Sequence, residues 1–142
     1  MTFEDAVAEF PAWAMNERAP NVDWTPWHLL EHLRITQYDM LSYIRDGSAY
    51  VEIDWPKDYW PAKDATTDEE GFKRTIEGFL SDLHELQAIA ADESFDLSAV
   101  LPGTPGHTAY RGIGIIGNHN SYHLGEFGLM RQIMGTWGPS HQ

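Results

Sequence analysis

Apolar residues recur every three or four positions along much of the chain, the spacing that aligns side chains on one face of an α-helix. The best marked segment begins at Thr25-Pro26, where a side-chain cap precedes a proline at the first helical position, and ends at Asp46-Gly47. A second segment opens with Thr67-Asp-Glu-Glu70, which matches a capping box with Thr67 as the N-cap. Their apolar faces are formed by Leu29, Leu33, Met40 and Ile44 and by Phe72, Ile76, Phe79, Leu83 and Leu86, respectively.

Two further helices are predicted near the ends of the sequence. One spans about residues 2–16, where Pro11 kinks or divides it. The other spans about residues 107–134 and stops before a glycine. A strand over residues 110–116 is a weaker alternative, because glycines there destabilise a strand as well as a helix. The pattern as a whole predicts an all-α four-helix bundle, built as a single domain by residues 1–142.

An aromatic, proline-rich segment, residues 51–61, follows the best marked helix. It contains two tryptophans, one tyrosine and two prolines, which makes it too apolar for a solvated linker. We expect this aromatic loop to pack over one end of the bundle and to form a wall of a pocket.

Composition narrows the classes of function. Nine basic and 22 acidic residues give a net charge of −13, which argues against nucleic acid and against an anionic membrane surface as partners. The absence of cysteine excludes disulfides, thiolate metal sites and a cysteine nucleophile. No stretch approaches the roughly 20 apolar residues that span a bilayer, and the acidic N-terminus does not match a secretory signal, so we expect a cytoplasmic protein.

The candidate chemistry lies in two His-x-x-x-His pairs, each on a predicted helix. His119 and His123 form one pair, and His28 and His32 form the other. This spacing places both rings of a pair on one helix face, about 6 Å apart along the axis. Rings so placed can bind one divalent metal ion, and three nitrogen ligands with an open position are typical of a catalytic site. The alternative is a set of partly buried histidines that are hydrogen-bonded to their neighbours.

The second pair also matches H-x-x-E-H, the signature of inverted zincin proteases. We give this match little weight, because the motif is short and no later helix clearly offers the glutamate ligand of those enzymes. A simpler interpretation takes one ring of this pair as the third ligand. His32 lies deeper in the helix, whereas we expect His28, near the N-terminal end, to be exposed.

Other side chains border these helix faces. Glu126, three residues after His123, is placed to ligate a metal, to act as a general base or to orient an imidazole, and a solvated carboxylate is the alternative. Tyr122 is placed to donate a hydrogen bond to a metal-bound anion, although core packing is the commoner role for such a residue. Asp39 lies on nearly the same stripe as His32 and is a candidate for the pocket wall. Surface or capping roles are expected for His84, His107 and His141.

Two stretches resemble motifs of the DinB-like (DinB/YfiT) family of metalloenzymes. The first, Asp23-Trp-Thr-Pro-Trp-His-Leu-Leu-Glu-His-Leu-Arg-Ile-Thr-Gln-Tyr-Asp39, resembles the second-helix motif, and the second, Asn118-His-Asn-Ser-Tyr-His-Leu-Gly-Glu126, resembles the last-helix motif. The resemblance implies a four-helix bundle that binds a divalent metal through His32, His119 and His123. Glu126 and Asn118 stand where Gln and Asp are frequent, which leaves the ligands intact and alters the hydrogen bonds available around them.

A site of three neutral imidazoles suits zinc, nickel or iron. Its open position can hold water for hydrolysis, or a thiolate. Relatives in the family include transferases that use low-molecular-weight thiols, so the resemblance implies a thiol-dependent S-transferase with a small-molecule substrate. Arg34 and Arg131 are the nearest basic residues, and both are expected at the surface.

Two other functions stay open. One is a metal-dependent hydrolase with Glu126 as general base, and the other is a non-enzymatic metal-binding protein of a stress response. The aromatic loop and the apolar helix faces are compatible with a homodimer, and a well-packed monomer explains them equally well.

Overall fold

Four α-helices form the protein, which we describe from a computed structural model covering residues 1–139 in detail. They are α1 (Phe3–Val7), α2 (Pro26–Arg45), α3 (Glu69–Ala91) and α4 (Ala109–Met134), and residues 1–139 contain no β-strand. Helix α2 packs along both α3 and α4, and the short α1 lies against α4. The predicted all-α four-helix architecture is therefore confirmed. None of the described helices is both long enough and apolar enough to cross a membrane.

The first predicted helix is divided near Pro11. Helix α1 ends at Val7, and a separate turn of 3₁₀-helix follows at Ala12–Ala14. Because so short a helix leaves its last carbonyl groups without helical partners, another donor has to satisfy them. The guanidinium of Arg131 does so, donating to the carbonyl oxygens of Ala6 and Ala8 at 2.6 and 2.8 Å. Arg131 is fully buried, and its expected place at the surface was wrong.

Helix α2 begins as the sequence predicts. Pro26 is its first residue, and Thr25 Oγ1 accepts a hydrogen bond from the backbone N–H of His28. The exposure expected for His28 was wrong, because this side chain is only 3% exposed. Its Nδ1 accepts from the backbone N–H of Thr25, which completes a capping box, and its Nε2 lies 2.8 Å from the carbonyl oxygen of Ala65. His28 is therefore occupied in closing the start of α2.

Helix α3 starts one residue later than predicted. Its cap is Asp68, whose carboxylate accepts from the backbone N–H of Gly71 at 2.7 Å. Thr67 does not serve as the cap, since its hydroxyl donates to the carbonyl of Asp68 and its backbone N–H donates to Asn16. The aspartate, one position further on, is the stronger cap and the first turn forms around it.

Helix α4 is continuous through the glycine-rich stretch, so the strand alternative for residues 110–116 is wrong. Gly112 packs closely against α2, since a Cβ there would lie 2.9 Å from Met40 Sδ and 3.1 Å from Ile44 Cδ1. Gly114 has open space around it, so close packing explains only the first of these glycines. The helix ends at Gly135, whose φ of +63° is the left-handed conformation that glycine adopts without strain.

Two groups of buried side chains fill the bundle, one toward each end of α2. The first joins all four helices and contains Phe3, Leu29, Leu30, Leu33, Phe72, Phe79, Phe127 and Met130. The second contains Leu41, Ile44, Leu86, Leu101, Ala109 and Ile116. Between these groups, the facing sides of α2 and α4 carry the polar side chains described below.

The aromatic loop packs against the bundle on α2, at His32 and Asp39. Trp60 is half-buried and packs on α2, and the hydroxyl of Tyr59 donates to Asp39 on the same helix. Trp55 remains 66% exposed, whereas Val51, Ile53 and Asp58 line a cavity of about 340 Å³ against α2.

Candidate metal centre

Three histidines from two helices converge on one point. His32 projects from α2, and His119 and His123 project from successive turns of α4. One ring nitrogen from each lies within 4.8 Å of the other two. The ring centroids are 4.5 to 5.0 Å apart, and the Nε2 atoms of His32 and His119 are separated by 3.1 Å. The structure therefore brings together the three residues to which the sequence pointed.

His32 is held in one orientation and one tautomer. Its Nδ1 lies 2.7 Å from the carbonyl oxygen of Tyr59, so that nitrogen carries the proton and Nε2 presents a lone pair to the cluster. Trp60 stacks on the ring, with centroids 3.8 Å apart and planes 5° from parallel. The pKa of His32 is lowered to about 4, chiefly by burial, against the opposing effect of the Tyr59 carbonyl and with a smaller contribution from the two neighbouring imidazoles. A neutral ring at neutral pH is the form that binds metal.

His123 is oriented by a carboxylate on its own helix. Its Nδ1 lies 2.6 Å from Oε2 of Glu126, which leaves Nε2 available to the cluster. A carboxylate on the outer nitrogen of an imidazole is the usual surrounding of a metal-bound histidine. Among the roles considered for Glu126, this geometry favours the orienting one.

Tyr122 does not pack in the core, so the commoner role considered for it was wrong. Its side chain is 64% exposed, and its ring meets the ring of His123 edge-on, with centroids 5.0 Å apart. One step along a helix turns a side chain by about 100°, which takes Tyr122 away from the α2-facing side that His123 occupies. It therefore lies at the solvent edge of the cluster.

The position of the His119 ring nitrogen shows whether a metal ion fits between the histidines. Two nitrogens bound tetrahedrally to one zinc ion at ordinary bond lengths lie about 3.3 Å apart, close to the 3.1 Å between Nε2 of His119 and of His32. Coordination through Nε2 leaves the proton of His119 on Nδ1. That atom is buried and has no partner among the described residues, and the same holds for Oδ1 of the adjacent Asn120. The separation of the two Nε2 atoms therefore fits a shared divalent ion.

Hydrogen bonds link the Asn120 side chain to Gln37 of α2 and, through Gln37, to the backbone of α3. Its amide nitrogen donates to Oε1 of Gln37 at 2.8 Å, and Nε2 of Gln37 donates to the carbonyl oxygen of Phe79 at 2.7 Å. Burial lowers the pKa of His119, the neighbouring His123 adds to this, and Asn120 acts in the opposite direction. The buried amides of Gln37 and Asn120 therefore link the third histidine to the rest of the bundle.

Asp39 lies outside the cluster. Its carboxylate oxygens accept hydrogen bonds from the hydroxyl groups of Tyr50 and Tyr59, at 2.9 and 2.6 Å. The sequence placed Asp39 on the stripe of His32, but it did not identify Tyr59, Trp60 or Asn120. The tryptophan-rich composition of the loop was a signal for Trp60, whereas a backbone carbonyl such as that of Tyr59 has no signature in a sequence.

The other histidines among residues 1–139 lie apart from the cluster. His28 caps α2, and His84 is exposed on α3, as expected. His107 is half-buried, with Nδ1 2.7 Å from the hydroxyl of Tyr43, which differs from the surface or capping role expected of it. His141 lies outside the described residues.

The basic residues near the cluster are engaged elsewhere. Arg34 forms an ion pair with Glu31 at 2.6 Å, and Arg131 is buried against backbone carbonyls. Lys63 lines a cavity of about 390 Å³ on whose wall Trp60 also lies, and no histidine of the cluster lines this cavity. The other side chains around this cavity include Asp23, Trp24, His28 and Pro61.

A separate cavity of about 760 Å³ lies between α2 and α3, and no histidine of the cluster lines it. Its polar walls bond to one another: Trp27 donates to Thr75 at 3.1 Å, and Thr75 donates to Glu31 at 2.8 Å. Because these groups already have partners, we assign the chemistry to the histidine cluster instead.

Comparison with known proteins agrees with this geometry. A family model described as the DinB superfamily matches residues 1–127, a range that includes the three clustered histidines and Glu126. Searches of curated proteins and of solved structures return no match.

Proposed function

The chain belongs to the DinB superfamily, and from that premise we propose that it is an enzyme dependent on a divalent metal ion held by His32, His119 and His123. The observation that carries the proposal is the convergence of the three rings, two of which already have their outer nitrogens bonded. The Tyr59 carbonyl and the Glu126 carboxylate leave the inner nitrogens of His32 and His123 facing the common point. Zinc, nickel and iron all accept such ligands.

We further propose that the reaction is transfer of a small-molecule thiol to an electrophilic substrate. A bound divalent ion supplies the positive charge that keeps a thiol deprotonated near neutral pH. The chain has no cysteine, so no thiol of its own competes for that position. Tyr122 lies at the solvent edge of the cluster, where its hydroxyl is available to orient the substrate.

The engagement of Glu126 favours transfer over hydrolysis. A general base must be free to accept a proton from water, whereas Oε2 of Glu126 lies 2.6 Å from the ring of His123. We therefore propose that Glu126 sets the orientation and basicity of a ligand, and that a thiol held at the metal would lose its proton to solvent without needing a carboxylate base. If Glu126 were instead the general base of a hydrolase, the rate of hydrolysis in the native protein would increase with pH near neutrality. In Glu126→Gln that increase would be absent.

Thiol binding at the metal is the experiment that tests this function. Protein loaded with Co²⁺ is titrated with glutathione and with cysteine, and thiolate-to-metal charge-transfer absorption is recorded in the near ultraviolet. We expect the band in the native protein and its loss in His123→Ala. A Co²⁺-loaded protein that shows no such band, and no metal-dependent conjugation of 1-chloro-2,4-dinitrobenzene, would contradict thiol transfer. His32→Ala would then cost mainly thermal stability, as in a metal-binding protein without enzymatic activity.

A further inference from the structure

One carboxylate of α2, that of Asp39, accepts two hydrogen bonds from the aromatic loop and the residue before it. Asp39 accepts the hydroxyl of Tyr50 just before the loop and the hydroxyl of Tyr59 near the loop's end. The Tyr59 hydrogen bond, at 2.6 Å, is the shorter of the two. Asp39 follows His32 by seven residues, about two helical turns, so the two side chains lie along one face of α2.

Tyr59 also contacts His32 directly, through its main chain. The same residue that anchors its hydroxyl on Asp39 places its carbonyl oxygen 2.7 Å from Nδ1 of His32. The next residue, Trp60, lies flat on the imidazole with a centroid distance of 3.8 Å. Side chain and main chain of Tyr59 thus bridge Asp39 and His32, and the carbonyl can move only if the loop moves.

We propose that Asp39 and Tyr59 are positioning residues of the metal centre, and that their hydrogen bond fixes the carbonyl that holds His32 in its Nδ1-protonated form. This proposal rests on the proposed function, because it assigns Asp39 an effect on metal affinity. Neither residue contacts the metal position. Asp39 acts through Tyr59, and Tyr59 acts through His32.

The physical basis is the choice of tautomer. A neutral imidazole carries its proton on either nitrogen, and the hydrogen bond to one of them decides which nitrogen is free to bind metal. A proton on Nε2 of His32 would point at the cluster and block coordination. Docking of the loop and binding of the metal therefore favour each other. By linkage, the factor by which the docked loop raises metal affinity equals the factor by which bound metal favours the docked loop, so a change that releases the loop lowers metal affinity.

The chain offers a matched pair of variants. Tyr59→Phe and Tyr50→Phe each remove one hydroxyl from the same carboxylate, but only Tyr59 carries the carbonyl bonded to His32. Zn²⁺ affinity is measured by competition with a chelator. Loss of an outer partner of a metal ligand lowers affinity by about 10- to 100-fold, so we expect about tenfold for Tyr59→Phe and less than about threefold for Tyr50→Phe. Asp39→Asn is expected to follow Tyr59→Phe.

A second measurement needs no metal. Long-range ¹H–¹⁵N spectra of the metal-free protein report the tautomer of His32, which we expect to be protonated on Nδ1 in the native protein and in Tyr50→Phe. In Tyr59→Phe and Asp39→Asn we expect a mixture of both tautomers. A merely structural role would lower the thermal stability of these variants and leave the tautomer unchanged.

The outcomes separate the two proposals. If native protein binds Zn²⁺ and all variants bind it equally with the native tautomer, the positioning role is overturned and the metal centre stands. A different result is that native protein binds no Zn²⁺, while Tyr59→Phe changes the tautomer of His32 and Tyr50→Phe does not. In that case the metal assignment is overturned and the control of His32 by Tyr59 stands.

Discussion

The buried imidazole of His32 makes the stability of the metal-free protein depend on pH. Burial lowers its pKa to about 4, from an ordinary value of 6.5. Between these values the unfolded chain binds more protons than the folded protein, so acidification favours unfolding. The stabilising contribution of neutral His32 is complete above pH 6.5 and is lost as the pH falls towards 4.

The size of the effect follows from the two pKa values. Each pKa unit corresponds to about 1.4 kcal/mol, so His32 alone lowers the free energy of unfolding by about 2 kcal/mol between about pH 7.5 and about pH 5. The assay is urea unfolding followed by tryptophan fluorescence, with a chelator present, at both pH values. We expect the native protein to lose about 2 kcal/mol more than His32→Gln over this interval. His119, whose pKa is also lowered by burial, remains in both proteins.

The control is His84→Gln, at an exposed position on α3. It is expected to follow the native protein at both pH values. An equal loss in native protein and in His32→Gln would refute the reasoning, because it would show that folded His32 takes up its proton as readily as the unfolded chain does.

Three further predictions concern other contacts. Glu126→Gln should lower Zn²⁺ affinity by about 10- to 100-fold in chelator competition, because an ionised partner of His123 is lost, and an unchanged affinity would count against the orienting role. Arg131→Met should lower the free energy of unfolding in urea by about 3 kcal/mol or more, since it leaves buried carbonyls unpaired, and a loss below about 1 kcal/mol would contradict this. Gly114→Ala should stabilise the protein by up to about 1 kcal/mol in thermal melts, because alanine favours a helix and the position is open. Gly112→Ala should give no stabilisation or should destabilise, because its Cβ meets α2. Equal effects of the two substitutions would show that α4 packs less closely against α2 at Gly112.

Local signals in the sequence gave correct predictions. Thr25 and Pro26 act within one turn, so they define the start of α2 whatever the helix packs against. The four-residue spacing of His119 and His123 likewise fixes their shared face on α4 without any tertiary information. The resemblance of two stretches to known motifs then paired this face with His32, and the convergence of the three rings is as expected.

The failures concern partners that are distant in the sequence. Buried His28 donates a hydrogen bond to the backbone carbonyl of Ala65, 37 residues away. Buried Arg131 donates to the backbone carbonyl of Ala6, 125 residues away. Neither partner is a side chain, so residue types along the chain do not reveal it. The Tyr59 carbonyl beside His32 belongs to the same class. The prediction of Thr67 as the N-cap of α3 failed for a local reason, because Asp68 next to it is the stronger cap.

Metal content decides whether His32, His119 and His123 hold one divalent metal ion. Elemental analysis is made of the native protein beside the His119→Ala/His123→Ala double variant, with circular dichroism to confirm that both are helical. We expect about one equivalent of zinc, nickel or iron per native chain and none in the variant. A native protein that contains no metal and takes up none on titration would contradict it, and the three histidines would then be structural.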